Sequence, residues 1–179
     1  PDSWSYFELS KTVFSDRFYA FATYRSYVSD TYSASFPLGY PVTLAAAGAV
    51  FGSTPWLAVA VNLAVAAASW VLILDICRKL GMAALPALGL CATLILFPGY
   101  LDEIYTGRAI PAAILTVLLG VRASLDRAGF LAGLLIGLSA LFRFDFLPYA
   151  LLIMAFGSLF WARDIRLIIG RLVGFAAAL

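Results

Sequence analysis

The chain has 179 residues, 63% of them hydrophobic and 12% charged, with a formal net charge of +2. Mean hydropathy is +0.95, whereas a soluble domain carries about 25% charged residues. The few charges are also clumped: none lies between Asp30 and Asp75, between Lys79 and Asp102, or between Asp145 and Arg163. A water-soluble core needs no gaps of that length, while a bilayer span needs about 20 apolar residues. The composition argues against a soluble enzyme, a nucleic-acid binder, a disordered chain and a disulfide scaffold. It predicts an all-α fold, a polytopic transmembrane helical bundle. There is no histidine, which removes imidazole metal sites, proton relays and Ser-His-Asp triads. Cys77 and Cys91 have neither metal-site nor disulfide-framework spacing. Arginine outnumbers lysine ten to two, a bias that points to a GC-rich bacterial genome.

Residues 1–36 stand apart from the rest. They hold seven charges and 11 of the 27 aromatic residues. Phe7, Phe14, Phe18 and Phe21 recur at helical spacing, with Lys11 interrupting that face. Trp- and Tyr-rich amphipathic helices favour the headgroup layer. The segment is therefore expected as one or two helices along an external membrane surface, ahead of a transmembrane region over 37–179. Phe36-Pro37-Leu38-Gly39-Tyr40-Pro41 leads into an apolar stretch ending at Phe51-Gly52, too short for a span and read as re-entrant or juxtamembrane. Five fuller spans follow, over about 55–76, 82–99, 107–123, 128–142 and 146–162. The first is opened by Ser53-Thr54-Pro55. A sixth begins near Ile165. The start at Pro1 and the apolar finish at Leu179 read as an internal piece of a longer protein, without a signal peptide.

The turns give orientation. Those at 75–79, 122–127 and 163–171 hold seven basic residues against three acidic ones. The alternate side, residues 1–36, 100–108 and 143–145, holds five basic against seven acidic. By the positive-inside rule the first side is cytoplasmic. Asp2, Glu8, Asp102, Glu103, Arg108 and Arg143 then share the outward side. Carboxylates there can act as general bases, and arginines can hold a phosphate through charge-assisted bonds. Every ionisable group falls near a predicted span end, which argues against an ion-path transporter. Asn62 and Ser69 lie seven apart on one helix face and suit interhelical hydrogen bonding.

Several segments, in order, resemble the GT-C glycosyltransferases that use polyprenyl-phosphate sugars, a group that includes protein mannosyltransferases and aminoarabinose transferases. Asp2-Ser3-Trp4-Ser5-Tyr6-Phe7-Glu8-Leu9 resembles the acidic-then-aromatic start of the family's first external loop. Phe36-Pro37-Leu38-Gly39-Tyr40-Pro41-Val42 is similar to its Pro-x-x-Tyr-Pro approach to the next helix. Phe51-Gly52-Ser53-Thr54-Pro55-Trp56 and the span ending Cys77-Arg78-Lys79-Leu80-Gly81 resemble its following hairpin. Asp102-Glu103-Ile104-Tyr105 through Arg108 sits where many members have a glutamate-arginine turn, and Gly133 to Asp145 resembles a late helix ending in arginine. Two departures stand out: Asp2-Ser3 replaces a frequent Asp-Glu, and the step from Glu103 to Arg108 is longer than usual.

The resemblance implies a transferase acting at the external side of a bacterial plasma membrane. Asp2 would be the general base, with inversion at the anomeric carbon. Glu103, and less so Asp102, would orient acceptor or sugar. Arg108 or Arg143 would offset charge on the departing phosphate, and Glu8 is a weaker candidate. The donor is a polyprenyl-phosphate sugar; no cofactor is firmly implied and a divalent metal stays open. Expected partners are membrane lipids and that lipid-linked sugar, with no nucleic acid. On the residues alone, Asp2 also reads as a helix cap, Asp102-Glu103 as a polar turn after Pro98-Gly99, Arg143–Asp145 as a local ion pair and Arg108 as a snorkelling side chain. The rival to the enzyme is a non-catalytic structural subunit of a larger membrane complex.

Overall fold

A computed structural model describes residues 6–7, 10–11, 25–26, 29–32, 37–160 and 164–179. Among these, eight α-helices follow a two-stranded pairing. They are α1 (Gly39–Phe51), α2 (Trp56–Lys79), α3 (Ala84–Leu96), α4 (Pro98–Tyr105), α5 (Ile110–Leu125), α6 (Gly129–Phe142), α7 (Leu147–Phe160) and α8 (Ile165–Ala178). A 3-10 turn, Phe144–Phe146, joins α6 to α7.

The fold is helical, as composition predicted, and α2 and α5 to α8 fall within a few residues of the expected spans. Two expectations need correction. The stretch 82–99 is not one straight helix. Pro98 cannot donate a backbone hydrogen bond and holds Phe97 extended, so Ala84–Leu94 and Pro98–Tyr105 meet at a bend of 59°. Asp102 and Glu103 accordingly lie inside α4, whose first turn Pro98 favours, rather than in an irregular turn. Within residues 1–36, positions 6–7 and 10–11 are helical, but Arg25–Ser26 (β1) pairs antiparallel with Ser29–Tyr32 (β2), Arg25 opposite Tyr32. Tyr, Val and Thr favour strand there, while Ser and Asp are poor helix formers.

Helix α2 has 24 residues, about 36 Å at 1.5 Å per residue. Among the described residues it alone is long and apolar enough to cross a membrane, and the bent α3–α4 pair qualifies when taken as one span. Helices α6, α7 and α8 have 14 residues each, about 21 Å.

The interior is built from small residues. Ala112, Ala113, Ala132, Ala140 and Ala150 are buried, while Leu85 (81% exposed), Leu96, Val71, Phe156 and Leu172 point outward. Glycines let α6 and α8 touch backbone to backbone. Gly129, Gly133 and Gly137 recur every four residues on α6; Gly170, Gly174 and Ala178 do so on α8. A Cβ on Gly133 would collide with the Arg171 carbonyl, and one on Gly174 with the Phe130 carbonyl. A Cβ on Gly129 would stand 2.7 Å from the Leu167 carbonyl oxygen. The sequence of contacts, Gly129 to Leu167, Gly133 to Arg171, Gly137 to Phe175, makes the two helices parallel. Helix α5 closes on the other flank, with Gly120 against Ile136. This is the small-residue packing used where helices associate without a water-driven hydrophobic effect.

Gly133→Val and Gly174→Val are each expected to destabilise the bundle by at least about 3 kcal/mol, because a rigid backbone rather than a flexible side chain blocks the new atoms. Gly89→Ala, where nothing lies within 4 Å of the added carbon, is expected to stabilise by about 0.5–1 kcal/mol. Thermal unfolding in mild detergent compares the three.

Candidate functional site

The polar residues collect at the two ends of the bundle. At one end α1 lies across the others. Its first residue, Gly39, meets the backbone of Leu141 at the end of α6, and Gly48 near its other end meets Ser53 and Leu57 at the start of α2. Pro41 supports the first turn of α1, and beside it Tyr40 turns inward and is fully buried.

Asn62 of α2 organises this end. It is fully buried, so each polar function of its amide needs a partner. Its Oδ1 accepts from the Tyr40 hydroxyl at 2.9 Å. Its Nδ2 donates to the Glu103 carbonyl at 3.1 Å and the Arg108 carbonyl at 2.8 Å. One amide thereby ties α1, α2 and the α4–α5 turn together. Gly107 permits that turn through its positive φ of 68°. Tyr6 packs edge-on to Tyr40 with ring centroids 5.3 Å apart, inside a cluster with Leu44, Ala58, Ala109 and Ala112. Ser69 donates back to the Val65 carbonyl of its own helix and also lies against the Tyr100 hydroxyl of α4.

Beside this lock sit the charges. Glu103 Oε1 accepts from Arg108 Nη1 at 3.0 Å, and Asp102 Oδ2 is 3.6 Å from the same nitrogen. The Glu103 side chain is only 12% exposed, and its second oxygen, Oε2, is enclosed without a hydrogen-bond partner. Arg143 grips Asp145 through two contacts, Nε to Oδ1 at 2.9 Å and Nη2 to Oδ2 at 2.8 Å. That grip holds the Asp145 carboxyl below its ordinary range. The charged form of Arg143 is favoured first by Asp145, then also by Tyr6 and Glu103, so Arg143 lies within electrostatic reach of Glu103. A cleft of about 250 Å³ opens next to the turn, lined by Phe7, Pro55, Trp56, Ala58, Val59, Tyr105, Thr106 and Gly107.

The structure brings Glu103, Asp102 and Arg108 together, with Arg143 nearby as the ion pair that the spacing to Asp145 allows. Asp2 and Glu8 lie outside the described residues. Sequence reading missed Tyr40 and Tyr6 as parts of this end. The signal for Tyr40 was its place between glycine and proline at a helix start. Among the described residues, no three His, Cys, Asp or Glu side chains converge as metal ligands.

The opposite end is an ion network. Arg122 bonds both Asp75 and Asp126, and Asp126 also accepts from Lys79. These pairs fix the ends of α2 and α5 side by side, and Leu167 against Gly129 brings the start of α8 to the same end. Arg171 departs from expectation. Sequence reading put it in the turn at 163–171, but it lies within α8 and is 1% exposed. Comparison with protein-family models, curated proteins and solved structures finds no match for this chain.

Asn62→Leu removes the bonds to the Tyr40 hydroxyl and to the Glu103 and Arg108 carbonyls, and is expected to cost roughly 2–4 kcal/mol. Tyr40→Phe removes one bond and is expected to cost about 1 kcal/mol; detergent unfolding curves separate the two. At the other end, Lys79 and then Arg122 hold the Asp126 carboxyl below its ordinary value. A lowered carboxyl contributes stability that is full above the ordinary carboxylate range and fades as pH falls through the lowered value. Melting temperature should therefore drop on acidification below about pH 4, and Asp126→Asn should flatten that drop.

Proposed function

We propose that this chain is part of a polytopic inner-membrane glycosyltransferase of GT-C type, with the Glu103 end facing outward. The feature that carries the reading is Glu103: one carboxylate oxygen on Arg108, the other enclosed and unpartnered, Arg143 within reach, and an aromatic cleft alongside. Such a cleft suits the apolar part of a lipid-linked donor, and the arginines suit its phosphate. The bilayer placement is supported by the outward large apolar residues and the small-residue interior. It is supported further by the basic excess at the Arg122 end. Short helices such as α6 and α7 fit a span only with local bilayer thinning or help from flanking turns.

In this mechanism Asp2, four residues before Tyr6 in sequence, takes the proton of an acceptor hydroxyl. The freed oxygen forms a bond to the anomeric carbon from the face opposite the leaving group. The bond from that carbon to the phosphate oxygen breaks, and the electron pair leaves on the polyprenyl phosphate. Arg108 or Arg143 offsets that charge. Glu103 orients the acceptor or the sugar, with Asp102 second and Glu8 a weaker contributor. The product has inverted configuration.

One observation favours the rival, a non-catalytic subunit of a larger membrane complex: Arg143 is already matched by Asp145, and Arg108 by Glu103 and Asp102. In that role the ion pairs serve packing, and mild-detergent purification would return a stoichiometric complex without bound lipid phosphate.

In the full-length protein reconstituted with a polyprenyl-phosphate sugar, Asp2→Asn is expected to lower transfer by about 10²–10⁴-fold, with Glu103→Gln less severe. Full transfer by Asp2→Asn removes the mechanism.

A further inference from the structure

We propose that the Arg122 end holds a phosphate-binding site centred on Arg171, whose ligand is the phosphate group of an anionic phospholipid. The site rests on the bilayer placement above but not on the transferase chemistry. Arg171 is 1% exposed, and neither Nε nor Nη1 has a hydrogen-bond partner. Two of the three guanidinium nitrogens are thus enclosed without an acceptor, an arrangement that gives up solvation with nothing in return.

Among the described residues, no carboxylate at this end is left to answer it. Asp75 is held by Arg122, and Asp126 by Arg122 and Lys79. Asp164 accepts from the Arg166 backbone nitrogen at 2.9 Å as the cap of α8. The remaining acids of the chain are Asp2, Glu8, Asp16, Asp30, Asp102, Glu103 and Asp145. Asp102, Glu103 and Asp145 stand at the opposite end, each with an arginine, and the other four lie in residues 1–36.

The surroundings favour an anion. Arg127 ends the α5–α6 turn two residues before Gly129, and Arg166 precedes Leu167, the residue that Gly129 touches. Both are therefore at the junction over which Arg171 lies, one turn further along α8. The Cα–Cβ bond of Arg171 tilts towards that junction, as Cβ atoms on a helix tilt towards its N-terminus. A guanidinium matches phosphate in geometry and charge, and lipid phosphates occupy this depth at the basic, cytoplasmic side of a bilayer.

The test uses the full chain in neutral detergent with four additions: phosphatidylglycerol, phosphatidylcholine, inorganic phosphate and acetate. Thermal stability and lipid retention in native mass spectrometry are read for the parent, Arg171→Met and Arg171→Lys. Phosphatidylglycerol is expected to raise the parent's melting temperature and to be retained. Arg171→Met should match or exceed the parent's stability in phosphatidylcholine, since a buried unpaired charge is gone. Its apparent affinity for phosphatidylglycerol should fall about tenfold, the loss of one charge-assisted contact, with Arg171→Lys intermediate. Protection by inorganic phosphate at matched phosphate concentration would support the site but assign it to free phosphate. Equal protection of parent and Arg171→Met by phosphatidylglycerol overturns the proposal, as does protection by acetate alone, which would mark a carboxylate partner. If Arg171→Met fails to fold, Arg127→Ala with Arg166→Ala must still weaken phosphatidylglycerol retention several-fold, and unchanged retention overturns it. In every arm, partition into phosphatidylcholine vesicles reports separately on the bilayer placement.

Discussion

The backbone contact between α6 and α8 is the constraint on which the rest of the bundle depends. Two parallel helices can approach this closely only if one of them presents a residue without bulk at each point of contact. Gly129, Gly133 and Gly137 meet Leu167, Arg171, Phe175 and Ala178 there. Dispersion between backbones replaces the side-chain interdigitation of a water-soluble core. That choice has two consequences. Several large side chains on these helices are turned outward, among them Phe130, Leu131, Ile169 and Leu172, while Ile136 and Phe175 stay inside. And α7, which links the two partners, must return along the bundle, so α6 and α8 begin at the same end and the basic turns of both are brought together.

The two ends of the bundle are held by different forces. The Arg122 end is closed by exposed ion pairs, which add little individually in water but more where they form a network at a membrane surface. The Glu103 end is closed by one buried amide that serves three segments. Hydrogen bonds to a single buried hub are directional, so they fix the α4–α5 turn in position as well as holding it. The carbonyls of Glu103 and Arg108 are both bonded to Asn62, which means the backbone beneath that carboxylate and that guanidinium cannot shift independently. A rigid base with its charged side chains projecting beside a cleft is the arrangement a binding site needs.

Much of this was legible in the residues. Charge gaps located α2 and α5 to α8 because charged residues avoid apolar helix middles, and the same charges sorted the turns onto two ends that the ion pairs now join. Glu103, Asp102 and Arg108 were readable as a group because they are close in sequence. Tyr40 and Asn62 were not readable as a pair, since 22 residues separate them and neither is charged. The bend at Pro98 was visible as a residue but outweighed by the apolar run around it. Residues 25–32 misled because aromatic spacing at Phe14, Phe18 and Phe21 suggested a helix that local Ser, Asp and Thr content opposes. The glycine seam had the plainest signal of all, a four-residue repeat on each partner, yet one that hydropathy is blind to because glycine scores near neutral.

Arg171 shows where counting charges along the chain misplaced one residue of α8. Counting charges by position along the chain assigns an arginine near a run of arginines to a turn. Yet Arg171 follows Gly170 and precedes Gly174 in the helix seam, and a helix that starts at Ile165 has already completed more than one turn by that point. The close approach of α6 that glycine permits is what covers the Arg171 backbone. Burial of its side chain is therefore a consequence of the seam and not of any attraction for the charge. The same contact that stabilises the bundle thus creates an electrostatic debt at the basic end, and every described acid at that end is already engaged. A lipid phosphate is the anion that the proposed membrane placement would supply at that depth without requiring another protein chain.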